Sequence, residues 1–394
     1  MRMEKRPLRI AVVAGEESGD LLGADLVQSL AVRSGRTIEL FGVGGRHLEA
    51  RGLHSLFDQS QIAIMGVTAV VRDLPRIVYR IGATARAIAR WKPDCLVTID
   101  VPGFTLPLAR KVRRADPSIP IVHYVCPSVW AWRAGRAPAM QPNIDRVLCL
   151  LPFEPEALVR LKGPPGTFVG HRLARDPAII EAAEKQRQRA KSRRPEAMTT
   201  LLLLPGSRRS EIRSLIGPFG ETVTLLKERG NRLRLLLPTV PHLAGLVSSL
   251  TASWPEKPEI IHDAERKWQA FAEADAALAA SGTVSLELAL ARVPFVACYK
   301  TDRVMKLFRH LITIWSSQLP NLIADYVIVP EYIDFFVRPG MLARQMEQLA
   351  ADTPQRAAQL AGFDDVLSAL AADRPSGEMA AEIVLAEIAK RQET

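Results

Sequence analysis

Short apolar runs alternate with helical stretches along most of the chain. In the first half the apolar runs predict six β-strands, at Arg9–Ala14, Ile38–Gly42, Cys95–Ile99, Ile121–Val125, Arg146–Leu150 and Thr167–Val169. Helical patterns such as Leu21–Val32 and Leu106–Arg114 lie between them. Strands that alternate with helices are typical of parallel sheets covered by helices.

The same alternation begins again near residue 200. It predicts further strands at Thr200–Leu204, Arg234–Pro238, Ile260–Ile261, Ala276–Ala279 and Val293–Cys298. Residues 176–198 are charged and poor in strand formers, which predicts a linker helix. We therefore expect two Rossmann-like α/β domains facing a cleft, the first over residues 1–175 and the second over residues 199–353.

The last part of the chain, residues 354–394, has a helical pattern rich in alanine. Such a tail either crosses back to the first domain or packs against a second subunit of a homodimer. The sequence leaves both arrangements open.

Two segments combine an apolar face with basic side chains. Val70–Trp91 places Arg72, Arg76 and Arg80 at i, i+4 spacing. Arg303–Trp315 likewise combines basic side chains with apolar ones at helical spacing. Each segment is either a domain helix with its apolar face in the core or a helix lying on an anionic membrane. The pattern alone does not separate these interpretations.

The composition is that of a globular protein, with 48% hydrophobic and 24% charged residues in a chain of 394. That length suits two domains. The net charge of +10 favours an anionic partner: nucleic acid, an anionic membrane surface or a phosphorylated substrate. Aromatic residues are only 6%, without the aromatic-and-glycine signature of an RNA-binding sheet, so we expect no nucleic-acid partner.

The four cysteines, Cys95, Cys126, Cys149 and Cys298, lie far apart in sequence and form no C-x-x-C pair. We expect each thiol to be a small buried apolar group in a reducing compartment. Leu8–Ala14 is too short for a secretory leader, and no apolar stretch reaches the roughly 18 residues of a spanning helix. The pattern predicts a soluble or peripheral protein.

A glycine-bearing turn, Gly206, Ser207 and Arg208, follows a strand of the second series and opens a helix. Unpaired backbone N–H groups at a helix N-terminus suit phosphate oxygens, and Arg208 can donate two hydrogen bonds to a phosphate. The alternative is a surface turn whose arginines are solvated.

A second turn of this kind, Ser281, Gly282 and Thr283, follows another strand of the same domain. The two hydroxyls can cap the helix or reach a diphosphate. Glu287, one helical turn further on, can accept hydrogen bonds from ribose hydroxyls. Together the two turns predict a pocket for a nucleoside diphosphate.

The loop after the first strand is acidic where a dinucleotide-binding loop is rich in glycine. Its carboxylates would repel a pyrophosphate, which argues against a dehydrogenase. The loop suits sugar hydroxyls, or a helix cap through Asp20. The histidines show no metal-ligand spacing, and no G-x-S-x-G motif indicates a serine hydrolase. His171 is a candidate for a hydrogen bond to a ligand at the cleft.

In order along the chain, these motifs resemble the lipid-A-disaccharide synthase family over nearly the whole length. The matching segments are AGEESGD (Ala14–Asp20), GVGG (Gly42–Gly45), IMG (Ile64–Gly66), KPD (Lys92–Asp94), TID (Thr98–Asp100), PSVWAWR (Pro127–Arg133), LLPFE (Leu150–Glu154), VGH (Val169–His171), LLPGSR (Leu203–Arg208), ASGTVSLE (Ala280–Glu287) and LPN (Leu319–Asn321). PSVWAWR and AGEESGD are the most specific of them.

The resemblance implies a GT-B hexosyltransferase of lipid A biosynthesis. Its reaction would transfer 2,3-diacylglucosamine from UDP-2,3-diacylglucosamine to 2,3-diacylglucosamine 1-phosphate, giving a β(1→6) disaccharide with inversion and without a metal or cofactor. The acyl chains of both substrates imply a peripheral enzyme on the cytoplasmic face of the bacterial inner membrane.

The resemblance also assigns residues. The UDP-sugar side would comprise Gly206, Ser207, Arg208, Ser281, Gly282, Thr283 and Glu287, with Asn321 near the reacting groups. The acceptor side would comprise Glu16, Ser18, Gly19, Asp20, Met65, Ser128 and His171.

The chain departs from the family where a catalytic carboxylate is usual. The family commonly has an Asp directly before the phenylalanine of its I-D-x-P-D-F motif, whereas Gly103 precedes Phe104 here. Asp100 is the only carboxylate left in that loop. It is either a replacement base or a group that orients the loop. Cys126–Pro127–Ser128 stands where the family often has Ser-Pro-Ser, and Ala69, Asp334 and Arg172 also differ.

Three hypotheses follow from the sequence. The first is a lipid-A-disaccharide synthase or close paralogue. The second, favoured by Gly103, is a divergent paralogue that binds nucleotide and lipid but has lost or changed its transfer activity. The third, from another class, is a nucleotide-dependent oxidoreductase or epimerase on a similar fold.

Overall fold

The computed structural model describes residues 6–62, 67–191, 198–301 and 313–393. The chain divides into two compact units. Unit 1 comprises Met1–His171 and Ala372–Thr394, and unit 2 comprises Arg172–Ala371.

Unit 1 contains a parallel six-stranded sheet in the order β2-β1-β3-β4-β5-β6. Its strands are β1 Leu8–Ala14, β2 Ile38–Val43, β3 Cys95–Ile99, β4 Ile121–Tyr124, β5 Arg146–Cys149 and β6 Gly166–Phe168. All five residues of β3 are buried, as expected for a central strand covered on both faces.

Six helices connect these strands: α1 Glu17–Ser34, α2 Arg46–Glu49, α3 Val67–Trp91, α4 Pro102–Ala115, α5 Arg136–Met140 and α6 Glu154–Arg160. One buried cluster joins α3 and α4 to one face of the sheet, for example through Ile88 and Leu108. A second cluster places Leu26 and Leu30 of α1 on the other face. The sheet therefore lies between two helical layers.

Unit 2 contains a second parallel six-stranded sheet, in the order β12-β11-β10-β7-β8-β9. Its strands are β7 Thr199–Leu204, β8 Leu233–Pro238, β9 Glu259–Ile261, β10 Ala276–Ala280, β11 Phe295–Tyr299 and β12 Glu331–Ile333. The sequence pattern located the first five within one or two residues. It missed β12, an edge strand of three residues that is too short to show a period.

The helices of unit 2 within the described residues are α7 Pro177–Lys191, α8 Arg209–Glu228, α9 Ala244–Thr251, α10 Ala264–Glu273, α11 Val284–Leu290, α12 Leu319–Ala324, α13 Pro339–Ala350 and α14 Pro354–Leu370. The stretch that the sequence suggested as a linker packs closely in this unit as α7. The Gln186 amide donates to the carbonyls of Phe271 and Ala274, both at 2.7 Å.

The C-terminal tail divides between the two units. Helix α14 belongs to unit 2, and the last helix, α15 Ser376–Gln392, belongs to unit 1. Val384 and Ile388 of α15 are buried in the same cluster as Leu26 of α1. Arg33 and Glu382 add an ion pair at 3.0 Å between these two helices.

A buried histidine in β4 predicts acid sensitivity. His123 is fully buried, its Nδ1 lies 2.8 Å from the Thr98 hydroxyl oxygen, and burial lowers its pKa from 6.5 to about 4. Because the unfolded chain takes up this proton below about pH 6.5, the contribution of neutral His123 to stability is present above that pH and is lost as the pH falls towards 4. We expect about 2 kcal/mol of the unfolding free energy to disappear between pH 7 and about pH 5 through this residue alone.

Urea denaturation at both pH values tests this expectation. His123→Asn keeps a polar partner for Thr98 without the titration, so its pH dependence should be smaller than that of the natural chain. His54, also in unit 1, is exposed, and His54→Asn serves as the matched control. An equal pH dependence in His123→Asn and the natural chain would contradict this account.

Candidate functional site

The loops of unit 2 that carry the predicted nucleotide motifs meet at one point of its sheet. Strand β7 pairs with β10 on one side and β8 on the other, so the strand order reverses direction at β7. The carboxyl ends of two strands at such a reversal flank a crevice, the usual ligand position in a parallel sheet. Gly206 follows β7 and Ser281 follows β10, so both lie at this crevice.

A cavity of about 510 Å³ occupies the crevice. Its walls include the Gly206–Arg208 turn, the Ser281–Thr283 turn and the first residues of α10 and α11. The loops after β8 and β9 supply Thr239 and His262. All seven residues predicted for the nucleotide-sugar side line this cavity. Asn321, predicted separately near the reacting groups, does not line it.

The Gly206 turn differs from expectation in one respect. Gly206 has φ +114, a conformation that favours glycine, and a Cβ there would come within 2.4 Å of Glu211 Oε2. That same oxygen accepts hydrogen bonds from the backbone N–H groups of Ser207 (3.0 Å) and Arg208 (3.2 Å). The N–H groups predicted to be unpaired are therefore bound to Glu211, a capping carboxylate of their own helix.

The Arg208 side chain remains the main cationic group of this turn. It is 63% exposed and donates through Nη1 to Glu211 Oε1 at 3.1 Å. A guanidinium has five N–H donors in a planar arrangement, so a bond to Glu211 does not exhaust its capacity. Arg208 can thus contact a phosphate at the mouth of the cavity.

The second turn does not cap its helix through side chains. Thr283 is the residue before α11 but makes no side-chain capping bond, and Ser281 donates instead to the Ser317 carbonyl at 3.2 Å. Gly282 and Thr283 are exposed at the cavity wall. Because α11 has only seven residues, its dipole is small, and the turn offers the cavity chiefly polar side chains and backbone groups.

Glu287 has a partner that the sequence did not indicate. Lys267 of α10 donates to Glu287 Oε2 at 2.6 Å, and both side chains line the cavity. In the sequence Lys267 appears among charged residues of an amphipathic helix, so no local signal separates it from a solvated surface lysine. The pair gives the cavity an oriented carboxylate beside a cation.

Thr239 carries a further polar atom of interest. Its hydroxyl oxygen is buried and has no hydrogen-bond partner among the described residues, although the residue lines the cavity. A buried hydroxyl without a partner is uncommon in folded proteins.

Asn321 is not exposed to the cavity. It is fully buried at the start of α12, where its Nδ2 donates to the Val329 carbonyl at 3.0 Å. Its Oδ1 accepts from the backbone N–H groups of Ile328 (2.9 Å) and Val329 (2.8 Å). With both ends of the amide engaged, Asn321 acts in this structure as a positioning residue for its loop. Its implied place near the reacting groups stays a prediction.

Unit 1 has a corresponding reversal of strand order at β1. The loops after β1 and β3 are in contact there, because a Cβ on Gly15 would come within 2.6 Å of Val101 Cγ2. Glu16 follows β1 and Asp100 follows β3, so both candidate carboxylates lie at the same edge of this sheet.

The loop that carries Asp100 has a strained backbone. Asp100 has φ 52 and Val101 has φ 44, which is costly for a β-branched residue. The Val101 N–H donates to Asp100 Oδ1 at 2.7 Å, and the Thr105 hydroxyl donates to the Asp100 carbonyl at 2.6 Å. Burial raises the pKa of Asp100, although the bond from Val101 partly offsets this. Strain held by specific bonds is a common feature of active-site loops.

Comparison with known proteins identifies the family of the chain. The family model described as lipid-A-disaccharide synthetase matches residues 10–384. The chain belongs to this family. A relative from Nitrobacter winogradskyi, named lipid-A-disaccharide synthase, is 45% identical over 96% of this chain and 95% of its own length. One of the same name from Rhodopseudomonas palustris strain HaA2 is 48% identical over the same shares.

Solved structures confirm the fold. The chain is similar to Acinetobacter baumannii MurG, with a TM-score of 0.56 and 13% identity over 97% of this chain and 100% of that one. It is similar to Staphylococcus aureus MnaA in complex with UDP, with a TM-score of 0.59 and 13% identity over 98% of this chain and 97% of that one. The chain is also similar to the kitacinnamycin glycosyltransferase, with a TM-score of 0.62 and 16% identity. This match covers 98% of this chain and 100% of that one. The predicted GT-B fold class is thus confirmed.

Within the lipid-A-disaccharide synthetase family motif AGEESGD, Asp20 has a structural role. It is fully buried and accepts from the backbone N–H groups of Gly45 (2.7 Å) and His47 (2.8 Å). Asp20 therefore caps a helix, as the sequence suggested, but that helix is α2 and not the one that begins at its own loop. The suggested contact with sugar hydroxyls stays a prediction. Gly19 lies against Ile99, where a Cβ would come within 3.2 Å of Cγ2.

The other acceptor-side residues of the family motifs have different settings. Glu16 is half-buried directly before α1, and Ser18 is exposed in its first turn. Ser128 is exposed between β4 and α5, and His171 is half-buried after β6. Met65 lies outside the described residues.

Gly103 is the second residue of α4 and is exposed. A Cβ there would have no atom within 4 Å, so the position has room for the aspartate that the family usually carries. Without that aspartate, Asp100 is the carboxylate of this loop.

Proposed function

We propose that the chain transfers 2,3-diacylglucosamine from its UDP derivative to the 6-hydroxyl of 2,3-diacylglucosamine 1-phosphate. The products are the β(1→6) disaccharide 1-phosphate and UDP. The observation that carries this proposal is the family match over residues 10–384, which includes the motifs of both units.

The cavity of unit 2 is the UDP site in this proposal. Because Glu211 already accepts from the N–H groups of the Gly206 turn, the Arg208 guanidinium is the chief contact of the diphosphate. Ser281 and Thr283 supply hydroxyls from the opposite wall. Glu287, oriented by Lys267, accepts hydrogen bonds from the ribose, and the Thr239 hydroxyl gains a partner from the ligand.

Asp100 accepts the proton in the transfer step. The acceptor O6 forms a bond to the anomeric carbon of the donor sugar while the bond from that carbon to the UDP oxygen breaks. The hydroxyl proton passes to the Asp100 carboxylate, and the electron pair leaves with UDP. Val101 fixes Oδ1, and Oδ2 makes no hydrogen bond within the described residues. Raising the pKa of this carboxyl by burial brings it closer to the operating pH, which favours a general base.

A turnover assay tests the proposed function. The purified full chain is incubated with both lipid substrates, and UDP release and the disaccharide product are measured together. We expect both products in equal amounts. UDP binding without UDP release or disaccharide would identify a divergent binding paralogue and contradict the proposal.

The acyl chains of these substrates make membrane association part of the proposal. No helix in the part of the chain that the structure describes is long and apolar enough to cross a bilayer. Helix α3 has both buried and exposed apolar side chains. Ile81 and Ile88 are buried in the core and Ile77 packs against it, whereas Leu74, Val78 and Tyr79 are exposed. Among the described side chains, the interpretation as a domain helix therefore holds from Ile77 onwards. Most of the other basic segment, Arg303–Trp315, lies outside the described residues, and Trp315 is exposed.

We expect the full chain to float with anionic liposomes at low salt and to be released at high salt, because salt screens basic side chains such as the exposed Arg76 of α3. Val78→Glu should reduce flotation, since it places a charge on that face. Val32→Glu makes the same change at a more exposed apolar residue, on α1, and is the matched control. No flotation at low salt, or equal loss in both variants, would count against membrane association through α3.

A further inference from the structure

Two thiols and a carboxylate form a compact buried cluster in unit 1. Cys126 follows β4, Cys149 is the last residue of β5, and Glu154 is the first residue of α6. One ligand atom from each lies within 4.8 Å of the other two. None of the three residues is more than 4% exposed. This cluster leaves no local sequence pattern, because helix α5 and most of β5 separate the two cysteines.

The sheet register explains how the thiols meet. In the parallel pairing of β4 and β5, Tyr124 lies opposite Leu148, so the following residue, Val125, comes opposite Cys149. Val125 has φ 71, which turns the chain out of the strand direction directly before Cys126. The strand ends thus bring Cys126 and Cys149 side by side at the carboxyl edge of the sheet.

Glu154 is held in place by three hydrogen bonds. Its Oε2 accepts from the backbone N–H groups of Leu150 and Leu151, both at 3.0 Å. Its Oε1 accepts from the indole N–H of Trp130 at 3.2 Å. A carboxylate offers about four lone-pair positions, so the three bonds fix its orientation and leave one position for a further contact. Outer hydrogen bonds of this kind are what orient the ligands in metal sites.

We propose that Cys126, Cys149 and Glu154 bind a thiophilic divalent cation of the Zn²⁺ class. Cys sulfur and carboxylate oxygen are both ordinary Zn²⁺ ligands, whereas thiolates disfavour Mg²⁺ and Ca²⁺. Three protein ligands leave one position of a tetrahedron for a small ligand. Binding replaces the two S–H bonds by metal–sulfur bonds and releases two protons, without any oxidation.

The cation would fasten the segment between β4 and α5 to the segment between β5 and α6. The first segment carries Ser128 and Trp130, and the second begins with Leu150. None of the three residues has a role in the proposed transfer step, so the metal proposal can be tested independently of the proposed function.

Co²⁺ alone is the probe for this site, added without oxygen to the reduced full chain. We expect one equivalent to bind, with thiolate-to-cobalt absorption in the near ultraviolet that Zn²⁺ bleaches. Two protons should be released per Co²⁺ bound. Cys126→Ser and Cys149→Ser should each lose most of this absorption. Glu154→Gln should keep thiolate absorption but bind at least tenfold more weakly.

Cys298→Ser is the matched control, since Cys298 is an equally buried free thiol in unit 2. It should bind Co²⁺ as the natural chain does. If a variant fails to fold, the natural chain still decides the matter, because Zn²⁺ should slow alkylation of Cys126 and Cys149 more than that of Cys95 and Cys298. Absence of thiolate absorption in the natural chain would overturn the proposal. So would absorption that survives in both single variants, or a disulfide between Cys126 and Cys149 that forms in place of metal binding.

Discussion

Asp100→Asn should lower kcat by about 10²–10⁴-fold, the usual cost of losing a positioned general base. The substitution is well suited to the test. Asparagine, like aspartate, tolerates the left-handed conformation that this position requires, and its amide oxygen can still accept from the Val101 N–H. The loop should therefore keep its shape while the proton acceptor is removed. Steady-state kinetics with both lipid substrates measures the effect, and KM for the UDP-sugar should change little.

Asp116→Asn makes the same chemical change just beyond the other end of α4 and should leave kcat unaltered. If Asp100→Asn turns over as fast as the natural chain, Asp100 is not the base. A fall in thermal stability together with kcat would indicate a structural role for the carboxylate.

Gly103→Asp supplies a second test of the same loop. The position is open and lies in the first turn of a helix, where a carboxylate is favoured, so the variant should fold normally. In the Asp100→Asn background it should restore turnover by at least about tenfold if the lost group is a base. Failure of this rescue, together with an inactive natural chain, would favour the divergent paralogue.

Arg208→Ala should weaken UDP binding by about 10- to 150-fold, which corresponds to about 1.5–3 kcal/mol for a lost hydrogen bond to a charged group. The effect should be large because Glu211 already holds the backbone N–H groups of the turn, which leaves the guanidinium as its main phosphate contact. Calorimetric titration with UDP measures the affinity without any lipid substrate.

Arg209→Ala is the control for Arg208→Ala. Arg209 is the next residue, is also exposed and does not line the cavity, so its removal changes the net charge equally. Unchanged UDP affinity in Arg208→Ala, or an equal loss in both variants, would remove Arg208 from the site.

Much of the fold follows from the sequence because the central strands of both sheets are fully buried. Runs such as Cys95–Ile99 and Ala276–Ala280 are almost wholly apolar without alternation, and glycine-bearing turns follow β7 and β10. Strand pairing then brings the Gly206 and Ser281 turns to one cavity. The three-residue strand β12 and the division of the tail between units depend on tertiary packing, which leaves no local pattern.

The site was less predictable from the sequence because each polar side chain has several possible hydrogen-bond partners nearby. Asp20 looked like a group that faces a ligand or caps a helix, and Glu211 gave no signal at all, yet each accepts backbone N–H groups of a helix N-terminus. The Asn321 side chain makes hydrogen bonds to the loop at Ile328 and Val329, and the sequence does not show that this loop lies next to it. Lys267 reaches Glu287 only because α10 and α11 flank the same crevice.

A crystal structure of the full chain with UDP would test the site most directly. The proposal predicts the diphosphate within hydrogen-bond distance of the Arg208 guanidinium and the Ser281 or Thr283 hydroxyl, with Glu287 on the ribose. UDP bound outside this cavity, or bound within it without contact to either Arg208 or Glu287, would contradict it.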